Sequence, residues 1–228
     1  MSKLRDDLNK LIADSTESDD LISAMCPDLI TKGIEKLKRG KHDGDLGHYS
    51  EHIIHGPESL RIYLSLLFTS MLVHGVAPDG LTKIMLHPIP KDKRASCRDS
   101  ENYRGIALSS VIGKLFDWLI LLENEELLCT SDLQFGFKAK HSTTQCTGAL
   151  LECVNYYTCN DTNVNLIFLD ATKAFDRVEY VKLFQLLVKR GISPIVIRLL
   201  LNMYTNQKVS IVWNGSTTEP FTCLNGVK

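Results

Sequence analysis

Residues 164–178 read VNLIFLDATKAFDRV, an apolar run that ends on Asp170 and is followed six positions later by a second acid, Asp176. The β-branched, aliphatic and aromatic content and the length predict a strand over 164–170. Its alternation places Leu166, Phe168 and Asp170 on one face. A carboxylate on that face, at the strand's end, looks into a solvent cleft or at a cation, since an unpaired buried charge is costly. Asp176 has a structural reading instead. Glu179 follows three residues later, so D-R-V-E reads as a capping box with Asp176 at the N-cap of a helix starting near 177. On pattern alone a plain strand-end aspartate is commoner than a metal ligand, and only the surroundings of Asp170 change that balance.

Downstream, the predicted helix stops at Gly191. Ser193-Pro194 then supplies a cap and a first-turn proline for another helix ending near Tyr204. VSIVWNGSTTEPF alternates, turns at Asn214-Gly215 and is broken by Pro220, which is a hairpin pattern. Upstream, HSTTQCTGALLECVNYY opens with Ser and Thr before a helical pattern with Leu150, Leu151, Val154 and Tyr157 on its apolar side. SSVIGKLFDWLILLENEELL starts with Ser109 or Ser110 as cap and spaces Ile112, Leu115, Phe116, Leu119 and Leu122 for the core. LTKIMLHPIP, at 81–90, is β-leaning but cut by prolines, which predicts an edge strand. Residues 58–74 carry Leu60, Leu64, Leu67, Met71 and Leu72 at helical spacing between Pro57 and Gly75. Helices and strands interleave throughout, so the class is mixed α and β, with antiparallel pairing at least at the hairpin.

With 228 residues, 44% hydrophobic and 23% charged, the chain can bury a core of its own. Lys and Arg number 26 against 27 Asp and Glu, so global charge gives no argument for a polyanionic partner. Local charge does. Residues 83–104 hold six basic and three acidic side chains, and Lys91, Lys93, Arg94, Arg98 and Arg104 fall in a short space between apolar segments. A solvated face explains such a run; contact with phosphates is the functional alternative. The seven cysteines are widely spaced, odd in number and form no C-x-x-C, which suits a reducing, intracellular setting, nuclear or cytoplasmic. The most apolar stretch, LRIYLSLLFTSMLV, is too short and interrupted to span a bilayer. Histidines 48, 52 and 55 in HYSEHIIH could hold a metal, 48 and 52 having the spacing of one helical face, yet no Cys or fourth ligand is near in sequence, so a loop or helix surface is preferred.

The string FLDATKAFDRV resembles the first palm motif of reverse transcriptases. IPKDKR at 89–94, NYRGIALSSVIGKLFD at 102–117 and QFGFKAKHSTTQC at 134–146 resemble, in the same order, finger and palm motifs of the LINE (non-LTR) retrotransposon enzymes. The resemblance covers about 80–228 well and 40–79 weakly. It implies an α+β fold, an incomplete right-hand polymerase of fingers plus partial palm, with helices packed on a mostly antiparallel sheet. The implied divisions are a polar N-terminal extension at 1–45, a helical segment at 46–79 and the reverse transcriptase region at 80–228. The implied activity is RNA-directed DNA polymerisation, with an RNA template, a DNA primer, deoxynucleoside triphosphates and Mg²⁺.

By position, the resemblance makes Asp170 the catalytic metal ligand, helped by the backbone carbonyl of Ala171. It gives Lys91, Lys93 and Arg104 to the triphosphate. Phe175 would lie under the incoming sugar and exclude a ribose 2′-OH, and Gln134, Phe135, Gly136 and Phe137 would lie near template or primer. The sequence reads no further than NGVK, and no Asp-Asp pair follows residue 170. A two-metal site needs carboxylates converging from separate strands, so the chain by itself is expected to be inactive. A non-catalytic RNA- or DNA-binding relic of the element is the alternative.

Overall fold

The computed structural model describes residues 25–44 and 47–227, with the isolated positions 3, 6, 9 and 10. Of the polar N-terminal segment expected at 1–45, residues 1, 2, 4, 5, 7, 8, 11–24 and 45 therefore lie outside the described residues. The chain divides into two compact units, one formed by Met1–Leu127 with Phe175–Lys228, the other by Leu128–Ala174.

In the first unit, α1 (Pro27–Glu35) starts on a proline whose missing N–H is no loss at a helix N-terminus. Its Gly33 lets it press onto α5 (Val111–Glu123): a Cβ there would sit 2.5 Å from Leu119 Cδ2 and 2.9 Å from Leu115 Cδ1. A short α2 (Ser50–Ile54) leads to α3 (Glu58–His74), which ends, as its sequence predicts, at Gly75 with φ +65°. Leu64, Phe68, Met71 and Leu72 form its buried face, while Ile62, Tyr63 and Leu66 remain exposed. The Phe68 and Phe116 rings meet at 5.2 Å in the centre of the core. Ser110 caps α5, its Oγ accepting from Gly113 N at 2.9 Å, and Leu115, Phe116 and Leu119 are fully buried.

A one-turn helix, α4 (Asp79–Thr82), hands the chain to β1 (Lys83–Pro90), which pairs antiparallel with β2 (Tyr103–Ser109) and parallel with β3 (Lys208–Trp213). β1 is thus central in the sheet, not the edge strand its prolines predict. The two facts are compatible because β3 pairs only with Lys83–Leu86. Pro88 and Pro90 lie beyond that reach, where β1 has a single neighbour and a missing N–H breaks no ladder. At the hairpin, Asn214 (φ +47°) and Gly215 (φ +79°) turn β3 into β4 (Ser216–Thr217), the backbone that a two-residue type I′ turn requires. Beyond Pro220, β5 (Phe221–Thr222) pairs again with β3. The sheet is mixed, three of its pairings antiparallel and one parallel.

Two further helices, α7 (Tyr180–Lys189) and α8 (Pro194–Thr205), pack on one another, and α8 packs on α3. Ser193 stands at the N-cap position of α8, but its hydroxyl makes no capping bond and is buried without a partner. α7 starts three residues later than D-R-V-E predicts. Asp176 is not its N-cap; Glu179 holds that position without a side-chain capping bond, and its Oε1 accepts from Lys182 Nζ at 2.7 Å. The reason is tertiary. The Phe175–Val178 turn is tied to the end of the chain, with Gly226 N donating to Val178 O (2.9 Å) and Val227 N to Phe175 O (3.0 Å).

The second unit carries α6 (Thr143–Cys159), opened by a full capping box in which Gln145 N donates to Ser142 Oγ (3.2 Å) and Ser142 N to Gln145 Oε1 (2.9 Å). None of its residues is buried. The strand expected at 164–170 is not formed. It has no regular secondary structure and pairs with no strand among the described residues, and an unpaired segment leaves its N–H and C=O groups to water. Ile167 and Leu169 are 87% and 95% exposed.

Candidate nucleotide and nucleic-acid site

The basic cluster sits on the loop that joins β1 to β2, and side chains other than the cations give that loop its shape. Asn102, nearly buried, donates from Nδ2 to Asp92 O (2.9 Å) and accepts at Oδ1 from Asp92 N (3.0 Å), while its carbonyl takes Lys91 N at 2.6 Å. Asp92 Oδ1 accepts from Arg94 N (2.8 Å) and Asp99 Oδ1 from Glu101 N (2.9 Å), the side-chain-to-backbone turns for which aspartate is suited. Two of the three acids in the run are therefore engaged with backbone N–H groups. Lys91 Nζ closes the base of the loop on Glu101 O at 2.7 Å. Arg104 is the first exposed residue of β2, opposite Ile89, and Lys93 and Arg94 lie exposed in the loop. Tyr103 donates its hydroxyl to Cys97 O at 3.0 Å, and burial raises that phenol's pKa above its ordinary value. Asn102 and Tyr103 escaped the sequence reading although both stand in NYRGIALS.

Phe175 belongs to the same unit. It is half-exposed at the start of the turn that Gly226 and Val227 hold, and a Cβ on Gly226 would meet Asp176 Cα and O at 3.2 Å. Asp170 and Ala171 belong to the second unit and are exposed. So do Gln134, Phe135, Gly136 and Phe137. There Gln134 Nε2 donates to Gly136 O (3.0 Å), the Phe135 ring meets His141 at 5.7 Å, and Phe137 takes φ +56° with its side chain almost wholly exposed. Lys138 Nζ anchors this loop on Asp132 Oδ1 (3.0 Å) and Ser131 O (3.2 Å), holding the Asp132 carboxyl below the ordinary carboxylate range.

Among the described residues no three His, Cys, Asp or Glu side chains come together in a way that could hold a metal ion. Asp170 with the Ala171 carbonyl does not on its own make the set of oxygen ligands that a divalent ion of the Mg²⁺ type takes. None of the seven cysteines is in a disulfide. No helix among the described residues is long and apolar enough to cross a membrane.

Residues 89–228 match the family described as reverse transcriptase (RNA-dependent DNA polymerase). The chain is also similar to two curated proteins of Drosophila melanogaster. It is 25% identical over 175 residues to a probable RNA-directed DNA polymerase from transposon X-element, covering 75% of this chain and 19% of that protein. It is 28% identical over 124 residues to a probable RNA-directed DNA polymerase from transposon BS, covering 51% of this chain and 13% of the relative. The chain thus spans less than a fifth of the length of either.

Proposed function

Because the chain belongs to the reverse transcriptase family, in its LINE-type, transposon-borne branch, we propose that residues 80–228 are the fingers and part of the palm of an RNA-directed DNA polymerase. One observation carries this reading: the family match runs unbroken from the cationic β1–β2 loop through FLDATKAFD to the end of the chain. On this reading 1–45 is a polar extension and 46–79 leads into the fingers. Lys91, Lys93 and Arg104 hold triphosphate oxygens, Arg104 through a planar donor fork. Phe175 contacts the sugar, and Gln134–Phe137 lie along template or primer. Enzymes of the family are metal-dependent; here the ion is proposed to be Mg²⁺, with Asp170 as one of its ligands.

The described residues do not complete such a metal site, so nucleotide transfer is assigned to a polypeptide that adds at least one further carboxylate. The 228 residues alone are expected to bind nucleic acid without extending a primer. Sequencing the native transcript past the Lys228 codon, then assaying primer extension on an RNA template, tests this. A continuing frame should give a polymerase that Asp170→Asn silences. Equal extension by parent and Asp170→Asn would sink the assignment.

The second reading, a non-catalytic nucleic-acid binder derived from such an element, rests on the cationic loop being ordered by its own hydrogen bonds. It expects joint loss of Arg94, Arg98 and Arg104 to weaken RNA affinity and flatten its salt dependence.

A further inference from the structure

At the end of the sheet where β1 outruns β3, the two strands part and leave a cleft of about 490 Å³ lined by His87, Pro88, Val212, Trp213, Asn214 and Gly215. Register puts Trp213 on the same sheet face as Ile211, and Tyr103, across β1 on β2, meets it ring to ring at 5.1 Å in a T-shaped contact. Between them on that face stand Pro88 and Gly105, opposite one another in the ladder, a proline without a polar donor and a residue without a side chain. Trp213 is 49% exposed. The T-shaped contact with Tyr103 fixes the indole without stacking on it. His87 also lines the cleft, but alternation with Pro88 puts its side chain on the opposite sheet face from Trp213. β1 then runs directly into the loop bearing Lys91, Lys93 and Arg94.

We propose that this cleft is a base-stacking site: the indole of Trp213 takes the face of one unpaired nucleobase of a single-stranded nucleic acid, while the adjoining cationic loop takes its phosphates. An aromatic ring on an open sheet surface beside a basic loop is the arrangement that single-strand binders use, and stacking tolerates any base because every base has a π-face. The deeply buried positions of the sheet, such as Ile84 and Val209, lie toward its other end. Trp213 is therefore not needed to close the core. The inference rests on the nucleic-acid reading above but is decided by binding alone, so an absence of polymerase activity does not bear on it.

The chain has two tryptophans, and a Trp118→Phe background makes the fluorescence report on Trp213. In that background the 228-residue protein is titrated with an oligouridylate of about twelve nucleotides, within the usual site size of single-strand binders, and with an abasic strand of equal length. The expected result is quenching by the oligouridylate, and affinity lower by roughly 5- to 150-fold for the abasic strand, matching about 1–3 kcal/mol per stacked base. Trp213→Ala should cost a similar factor toward oligouridylate and nothing toward the abasic strand, and Trp213→Phe should keep most of the affinity. Equal affinity for the two strands overturns the proposal while leaving phosphate attraction in place; binding of neither overturns it outright. If Trp213→Ala does not fold, the abasic comparison and Trp213→Phe still decide.

Discussion

The guanidinium of Arg198, on α8, donates from Nη2 to the last carbonyls of α3, Leu72 O at 3.0 Å and Val73 O at 2.7 Å, while packing on Gly75 so closely that a Cβ there would stand 2.3 Å from its Nε. A cation at a helix C-terminus satisfies orphan carbonyls and opposes the negative end of the dipole. Arg198→Met should therefore lower unfolding stability by about 1.5–3 kcal/mol, the range for hydrogen bonds to charged groups, in urea denaturation. Lysine should restore only part of this, because its ammonium is a flexible point charge where one nitrogen of a rigid, planar guanidinium is held between two carbonyls. A change within about 0.5 kcal/mol, the range of ordinary surface substitutions, would show the contact to be idle. A second residue-scale test concerns Tyr204, whose ring meets Tyr180 and Phe184 edge-on. Burial, then the neighbouring Asp117 carboxylate and Tyr180, push its phenol up to about 12. The folded protein thus keeps a proton that the unfolded chain loses near pH 10, so its contribution is complete below pH 10 and is lost as pH rises toward 12. Melting temperature should fall across that window, and Tyr204→Phe should flatten the fall.

At the scale of elements, the segment 164–170 decides most. Its amides pair with no strand among the described residues, so hydrogen exchange should leave them unprotected while those of Ile84–Leu86, held in the β1 ladders, exchange slowly. VNLIFL is also an uncharged, β-prone and exposed run, the pattern of an aggregation site. Ile167→Lys with Leu169→Lys should raise solubility in light scattering without moving the melting of the first unit; unchanged aggregation would place the hazard elsewhere. This segment also marks where sequence stops being enough. α3, α5, α6 and α8 were legible because a cap, a proline, a glycine stop and a 3.6-residue period are all local. The Asn214-Gly215 hairpin was legible for the same reason. A strand is not local: 164–170 has the composition of one and lacks a partner. The central place of β1 was hidden because its prolines occupy the half that β3 does not reach. Asp176 was misread as a cap because the backbone bonds from Gly226 and Val227, some fifty residues on, set where α7 begins. For the site, the cations of the β1–β2 loop stood out as a charge run. Asn102, which shapes that loop, and the Tyr103–Trp213 pair depend on strand register, which the sequence does not print.

For the whole molecule, the first unit is discontinuous in sequence, with Met1–Leu127 and Phe175–Lys228 joined through the intervening second unit. Its two parts are held by more than that covalent path. β1 and β3 share a parallel ladder from Lys83–Lys208 to Leu86–Ile211. Arg198 of α8 is bonded to α3, Ala77 N donates to Asn202 Oδ1 at 3.3 Å, and Phe184, Ile197 and Leu199 are fully buried alongside Phe68 and Leu72. Burying side chains of this size contributes about 1.5–3 kcal/mol each, so the association of the two parts should outlast a cut between them. A protease needs an exposed backbone free of regular structure, and 163–171 offers one with no ladder to open first. Brief chymotrypsin treatment should therefore cleave at Phe168 or Leu169 before any site in β1, α5 or α8. The two products should co-elute on size exclusion in native buffer and separate only in denaturant. Separation in native buffer would mean that the β1–β3 ladder and the α3–α8 packing are too weak to define one unit, and that the covalent path through 128–174 is what keeps the sheet together.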